Sequence, residues 1–119
     1  MCAVLVVDDH GETRRALTTL LSHWGHTVST ADNVASALRF IEQKVFDVIL
    51  SDIELPDGDG YQVVAEIKKR KMNAITAAVT GMDSEDDVEK AGRAGFHHHF
   101  SKPLDPLHLR GWLDAVIQS

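Results

Sequence analysis

One cysteine, Cys2, stands in the 119 residues. A lone thiol cannot close an internal disulfide, so the scarcity fits a reducing cytoplasm, and Cys2 reads as a small apolar residue at a strand start. Basic residues are outnumbered, 12 Lys and Arg against 18 Asp and Glu, for a formal charge of −6. That balance argues against unaided nucleic-acid binding, whose affinity comes largely from cations that neutralise phosphates. Missing too is any apolar run near the ~18 residues of a membrane span. The N-terminus meets Asp8-Asp9 after one short run, without the basic region and long apolar stretch of a secretory leader. What is there, 44% hydrophobic and 25% charged residues, is the composition of a globular domain. The length suits a single domain, 1–119, that buries about two thirds of its unfolded surface around one core. No output domain is expected within it.

Periodicity reads as five βα units. After a first strand at Ala3 to Val7, the segment from His10 to Trp24 places Leu17, Leu20, Leu21 and Trp24 at i, i+3, i+4 and i+7, an amphipathic helix stopped by Gly25. Thr27 to Ala31 alternates and is β-branched, and Asn33 can cap a helix with Val34, Ala37, Leu38 and Ile41 inward. The unit repeats through a strand at Phe46 to Leu50, a helix at Tyr61 to Arg70 and a strand at Ala74 to Val79. The fourth helix, from about Ser84 to Ala94, has only Val88 and Ala91 as clear anchors and Gly92 near its end, so it is expected to be the least stable. A fifth strand at Phe96 to Phe100 precedes Asp105-Pro106, the N-cap and first residue of a last helix through Leu109, Trp112, Leu113 and Val116. Trp24 and Trp112 share helical spacing with leucines and are assigned to the core. The alternation predicts an α/β fold, a doubly wound parallel sheet with right-handed crossovers, covered on both faces. Strand order is not contained in the spacing.

The apolar run ending at Ser51 delivers Asp52 into Ile53-Glu54-Leu55-Pro56-Asp57-Gly58-Asp59-Gly60, where Pro56, Gly58 and Gly60 work against regular structure. A carboxylate at the C-terminal end of a parallel strand faces the edge where open α/β sheets bind ligands, although many such residues only bond loop amides. Asp52 has company. Asp8-Asp9 follow the first strand, Thr80 the fourth, and Lys102-Pro103 the fifth. This set resembles the receiver domain of two-component response regulators, the CheY-like family, at all five positions and over nearly the whole chain.

The resemblance implies a single flavodoxin-like, five-stranded parallel sheet in the order 2-1-3-4-5 with five helices, which brings Asp8, Asp9 and Asp52 together. It implies Asp52 as the phosphoryl acceptor, served by a histidine kinase or histidine phosphotransfer protein, with Thr80 and Lys102 contacting phosphoryl oxygens and a cis peptide between Lys102 and Pro103. The metal it implies is Mg²⁺ or Mn²⁺, on Asp9, Asp52, the backbone carbonyl at Glu54 and, through water, Asp8. Charge supports a cation independently. Ionised carboxylates 4 Å apart repel by about 4 kcal/mol per pair at an effective dielectric of about 20, and an all-oxygen site suits Mg²⁺ or Mn²⁺ better than zinc. The surface of helix 4, strand 5 and helix 5 would shift on phosphorylation and meet a downstream protein or a second copy, with no direct nucleic-acid or membrane contact. A free-standing regulator and the receiver of a hybrid histidine kinase would share this site. Neither would turn over an external substrate.

Two further residues carry expectations. Glu54, two residues past Asp52, can orient or exclude the water that attacks an acyl phosphate. His99 lies three residues before Lys102, where many receivers carry Tyr or Phe that turns inward with the Thr. An imidazole can take up a proton, and a charged ring is penalised in an apolar slot, so acid is expected to favour the outward state.

Other readings use the same residues. An aspartate-nucleophile phosphatase of the dehalogenase-like type would use Asp52 and a second acid at Glu54, but it places its nucleophile after the first strand and usually carries a cap. A calcium loop at Asp57-Gly58-Asp59-Gly60 lacks a ligand where Tyr61 stands. A flavodoxin would need donors, not Asp8-Asp9, beside the flavin phosphate. In His97-His98-His99, His98 faces away from its neighbours on a strand, which favours a partly exposed edge strand over a metal tract. His10, His23, His26 and His108 carry no usable signal.

Overall fold

A computed structural model describes residues 2–117. The domain expected over 1–119 includes Met1, Gln118 and Ser119, which lie outside the described residues. The main strands are β1 (Ala3–Val7), β2 (Thr27–Ala31), β3 (Val48–Ser51), β4 (Ile75–Thr80) and β5 (His98–Ser101). They alternate with α1 (Gly11–His23), α2 (Val34–Gln43), α3 (Gly60–Lys69), α4 (Glu85–Ala94) and α5 (Pro106–Ile117). The sheet is parallel throughout, in the order β2-β1-β3-β4-β5. This is the flavodoxin-like arrangement that the resemblance implies.

Period-2 alternation splits the core between the two faces. Val4, Val6, Val48, Leu50, Val79 and Phe100 join Leu17 and Leu21 of α1 and Leu109 and Leu113 of α5. Leu5, Val7 and Ile49 point the other way, to Val34, Ala37 and Ile41 of α2 and Val63 and Ile67 of α3. Both faces of the central strands are dry, which is why their sequences read as unbroken apolar runs. Trp24 and Trp112 are only partly buried and pack on the rim of the first cluster, so they edge the core instead of filling it.

Several boundaries differ from the sequence reading for local reasons. The third strand starts at Val48, and just before it the Asp47 carboxylate accepts the Ala3 amide (2.8 Å) at the mouth of the ladder. The fifth starts at His98, because the His97 ring Nδ1 accepts the Thr76 amide (3.0 Å) in place of a backbone carbonyl. The segment after Asp52 is more regular than expected: Glu54–Leu55 pairs antiparallel with Gly58–Asp59. Pro56 and Asp57 form its turn, so Pro56 costs no ladder bond. Asp59 then closes a capping box with Gln62 at the start of α3.

Candidate functional site

The sheet carries the chemistry to one edge. Val7 and Ser51 are register partners on adjacent central strands, and the Asp52 amide donates to the Val7 carbonyl at 2.8 Å. The next residues, Asp8 and Asp52, therefore emerge side by side, and both are buried. Gly60 sets the depth of Asp52. A Cβ there would come within 2.3 Å of the Asp52 carbonyl oxygen, so only glycine lets α3 begin so close to that backbone. Thr80 ends β4 and its carbonyl accepts the Lys102 amide at 3.0 Å, which fixes the lysine one strand away. The Lys102-Pro103 peptide is cis.

Lys102 Nζ stands 2.8 Å from Oδ2 of Asp52 and 2.8 Å from Oδ2 of Asp8. The first contact is a hydrogen bond. The second is an ion pair only, and the buried Asp8 Oδ2 has no hydrogen-bond partner. Burial works to lower the Lys102 pKa, yet the close contacts and negative charges of Asp52 and Asp8 prevail and hold it above its ordinary value. The Asp52 carboxylate is oriented from its other side by the Ile53 amide, 2.7 Å from Oδ1.

His10 completes the cluster. It is the N-cap of α1 without a side-chain cap of its own, and its Nδ1 lies 2.9 Å from Asp8, 3.3 Å from Asp9 and 3.9 Å from Asp52. Asp8, Asp9, His10 and Asp52 each offer a ligand atom within 4.8 Å of the others. Three carboxylates face one ammonium there, and a buried carboxylate oxygen lacks a donor. That surplus of negative oxygen fits a small divalent cation. Glu54 is exposed at the mouth of a pocket of about 570 Å³, which is also lined by Asp9, Asp52, Thr80 and Lys102.

Thr80 and His99 are linked through one residue. Thr80 Oγ1 accepts the Met82 amide at 3.2 Å, and His99 Nε2 donates to the Met82 carbonyl at 2.9 Å. The half-buried His99 ring is thus held against the β4–α4 loop.

All five residues singled out from strand ends converge here, and Glu54 joins them at the rim. Sequence spacing assigns no role to His10: it directly follows Asp8-Asp9 at the entry to α1, but nothing in the spacing says which way a capping side chain turns. The acids of Asp57-Gly58-Asp59-Gly60 are occupied elsewhere. Asp57 accepts the Val34 and Ala35 amides at 2.7 and 3.0 Å, and Asp59 caps α3, so both serve helix N-termini instead of a calcium ion.

Residues 4–114 match the family described as the response regulator receiver domain. An uncharacterized 14.6 kDa protein of Leptolyngbya boryana is 32% identical over 108 residues, covering 89% of this chain and 82% of its own length. The sensor histidine kinase RcsC of Salmonella typhi is 30% identical over 98% of the chain, which spans only 12% of that protein. Among solved structures, the chemotaxis protein CheY4 of Vibrio cholerae superposes with a TM-score of 0.90 at 27% identity, covering 98% of both chains. No helix among the described residues is long and apolar enough to cross a membrane.

Proposed function

The chain belongs to the response regulator receiver domain family, and from that premise we propose that it is a Mg²⁺-dependent phosphoacceptor whose Asp52 takes a phosphoryl group from a phosphohistidine. A histidine kinase or histidine phosphotransfer protein is the donor, and the setting is a cytoplasmic two-component or phosphorelay system. The observation that carries this reading is the convergence of Asp8, Asp9 and Asp52, with Lys102 Nζ 2.8 Å from both buried acids.

Asp9, Asp52, the Glu54 carbonyl and, through water, Asp8 are the groups that would hold a divalent cation, which would supply charge neutralisation as the phosphoryl group arrives. The chain's own residues do the rest. The Ile53 amide fixes the Asp52 rotamer, leaving Oδ2 on the Lys102 side. That oxygen attacks phosphorus in line, forming a P–O bond as the P–N bond to the donor imidazole breaks; the leaving imidazole nitrogen takes up a proton. Phosphorylation removes the carboxylate charge that Lys102 had been pairing, which frees its ammonium to pair with a phosphoryl oxygen. Thr80 exchanges its bond from the Met82 amide for a hydroxyl bond to another phosphoryl oxygen. Met82 then shifts, and its carbonyl releases His99. The ring turns inward and alters the face formed by α4, β5 and α5, where a downstream protein or second copy would bind. Glu54, at the pocket mouth, tunes attack of water on the acyl phosphate. On this reading the domain turns over no external substrate, and the phosphatase alternative is disfavoured because Asp52 follows the third strand and not the first.

Mass spectrometry after incubation with acetyl phosphate and Mg²⁺ tests the assignment. One added phosphoryl mass is expected in the wild type and none in Asp52→Asn. Persistence of that mass in the variant would move the acceptor elsewhere.

A further inference from the structure

The tract His97-His98-His99 divides three ways. His97 turns its ring back to the Thr76 amide and His99 bonds the Met82 carbonyl, but His98 crosses to the α5 side and meets His108, ten residues on. We propose that His98 and His108 form a two-imidazole site for a borderline divalent transition cation, with Zn²⁺ as its probe, separate from the acid cluster at the sheet edge.

The geometry is that of chelation. The two Nε2 atoms lie 3.3 Å apart, with ring centroids 5.3 Å apart and planes at 82°. Imidazoles on a tetrahedral cation at about 2.0–2.1 Å place their nitrogens about 3.3–3.4 Å and their ring centres about 5.2 Å apart. At 3.3 Å the contact is a long hydrogen bond when one ring carries the proton, and the same separation lets a cation take the place of that proton.

The rings are also held in place before any ion arrives. His98 stacks on Trp112 with centroids 5.6 Å apart at 23°, and both imidazoles lean on Phe100, at 4.6 and 4.8 Å. Little side-chain freedom remains to be lost on binding. Among the described residues neither ring is paired with a carboxylate. A nitrogen-only pair selects Zn²⁺, Ni²⁺ or Cu²⁺ over Mg²⁺, with water completing the coordination. The cation would tie β5 to the first turn of α5.

The test is an NMR titration of the tag-free 119-residue chain with Zn²⁺ under saturating Mg²⁺, followed at the imidazole resonances and the Trp112 indole N–H. One equivalent should move the His98, His108 and Trp112 signals together. His98→Gln and His108→Gln should each abolish those shifts, while His23→Gln leaves them intact. His108 is exposed, so its variant remains informative if His98→Gln disturbs the aromatic packing. Shifts confined to the residues around Asp8, Asp9, His10 and Asp52, or shifts of Trp112 that survive in His108→Gln, would overturn the proposal. So would an unchanged spectrum.

Discussion

Lys102 is where the balance of the site rests, because among the described residues its ammonium is the one lysine or arginine cation within 3 Å of two buried carboxylates. Replacing it by Met leaves Asp8 and Asp52 facing each other without compensation, and unpairing largely buried charge costs several kcal/mol. With the lysine side chain 21% exposed, a loss of about 2–3 kcal/mol is expected in metal-free denaturation. Mg²⁺ should raise the melting temperature of the variant more than that of the wild type, since it supplies the missing positive charge. The pH dependence has a definite sign. The folded-state pKa of Lys102 is raised, so its contribution is complete below the unfolded value near 10.4 and fades as pH climbs through the folded value. Urea midpoints of wild type and Lys102→Met should therefore differ by a constant amount from pH 6 to 9 and converge in more alkaline solution. A gap that already closes by pH 8 would mean that Lys102 does not bridge the acids.

Among the elements, α2 and α4 differ in how their ends are secured. The first turn of α2 is held twice, by Asn33 on Ser36 and by Asp57 from across the chain on Val34 and Ala35. Those amide bonds lower the Asp57 pKa, so the cap is complete above the unfolded value near 3.9 and is lost as pH falls through the depressed one. In NMR the Val34 and Ala35 amide protons should titrate together with a midpoint below 3.8. In Asp57→Ala that titration should vanish while α2 frays at its start. The helix α4 has the opposite problem. Its capping box of Ser84 and Asp87 is sound, yet Ala91 is its only fully buried residue. Gly92 is exposed, and a methyl group added to its Cα would meet nothing within 4 Å. Gly92→Ala should therefore add close to the full propensity difference, about 0.8–1 kcal/mol. Calorimetry should show a rise of about 3–5 °C. No rise would mean that the glycine serves a conformation other than this one.

At the scale of the whole molecule, Met82 is hydrogen-bonded to Thr80 on one side and His99 on the other, and the proposed coupling of the pocket to the α4–β5–α5 face would run through it. A neutral His99 can leave the Met82 carbonyl and enter the apolar interior. A protonated one carries charge that resists the move and strengthens the bond it would have to break. Beryllofluoride, a phosphoryl mimic, should then bind more weakly at pH 6 than at pH 8 by a larger factor in the wild type than in His99→Phe. Equal ratios in both proteins would remove the ring from the coupling. The comparison cancels the titration of neighbouring His98, which both proteins retain.

Sequence by itself determined the alternation of strands and helices, most of the faces they bury and the five strand-end residues, because each is a local matter of period, capping or solvation. The Asn33 and Asp105 caps were legible for the same reason. Val88, read as an anchor of α4, is instead exposed, since packing and not period decides whether a helix face is covered. Which strand ends are neighbours was decided by tertiary structure and by likeness to a known family, since pairing of β1 with β3 joins segments more than 40 residues apart. So was the bridge from Lys102 to Asp8 and Asp52. The turn of His10 toward the acids and the meeting of His98 with His108 were also invisible in the chain. A side chain's direction at a helix entry, and its partner on another element, depend on packing that no local pattern records.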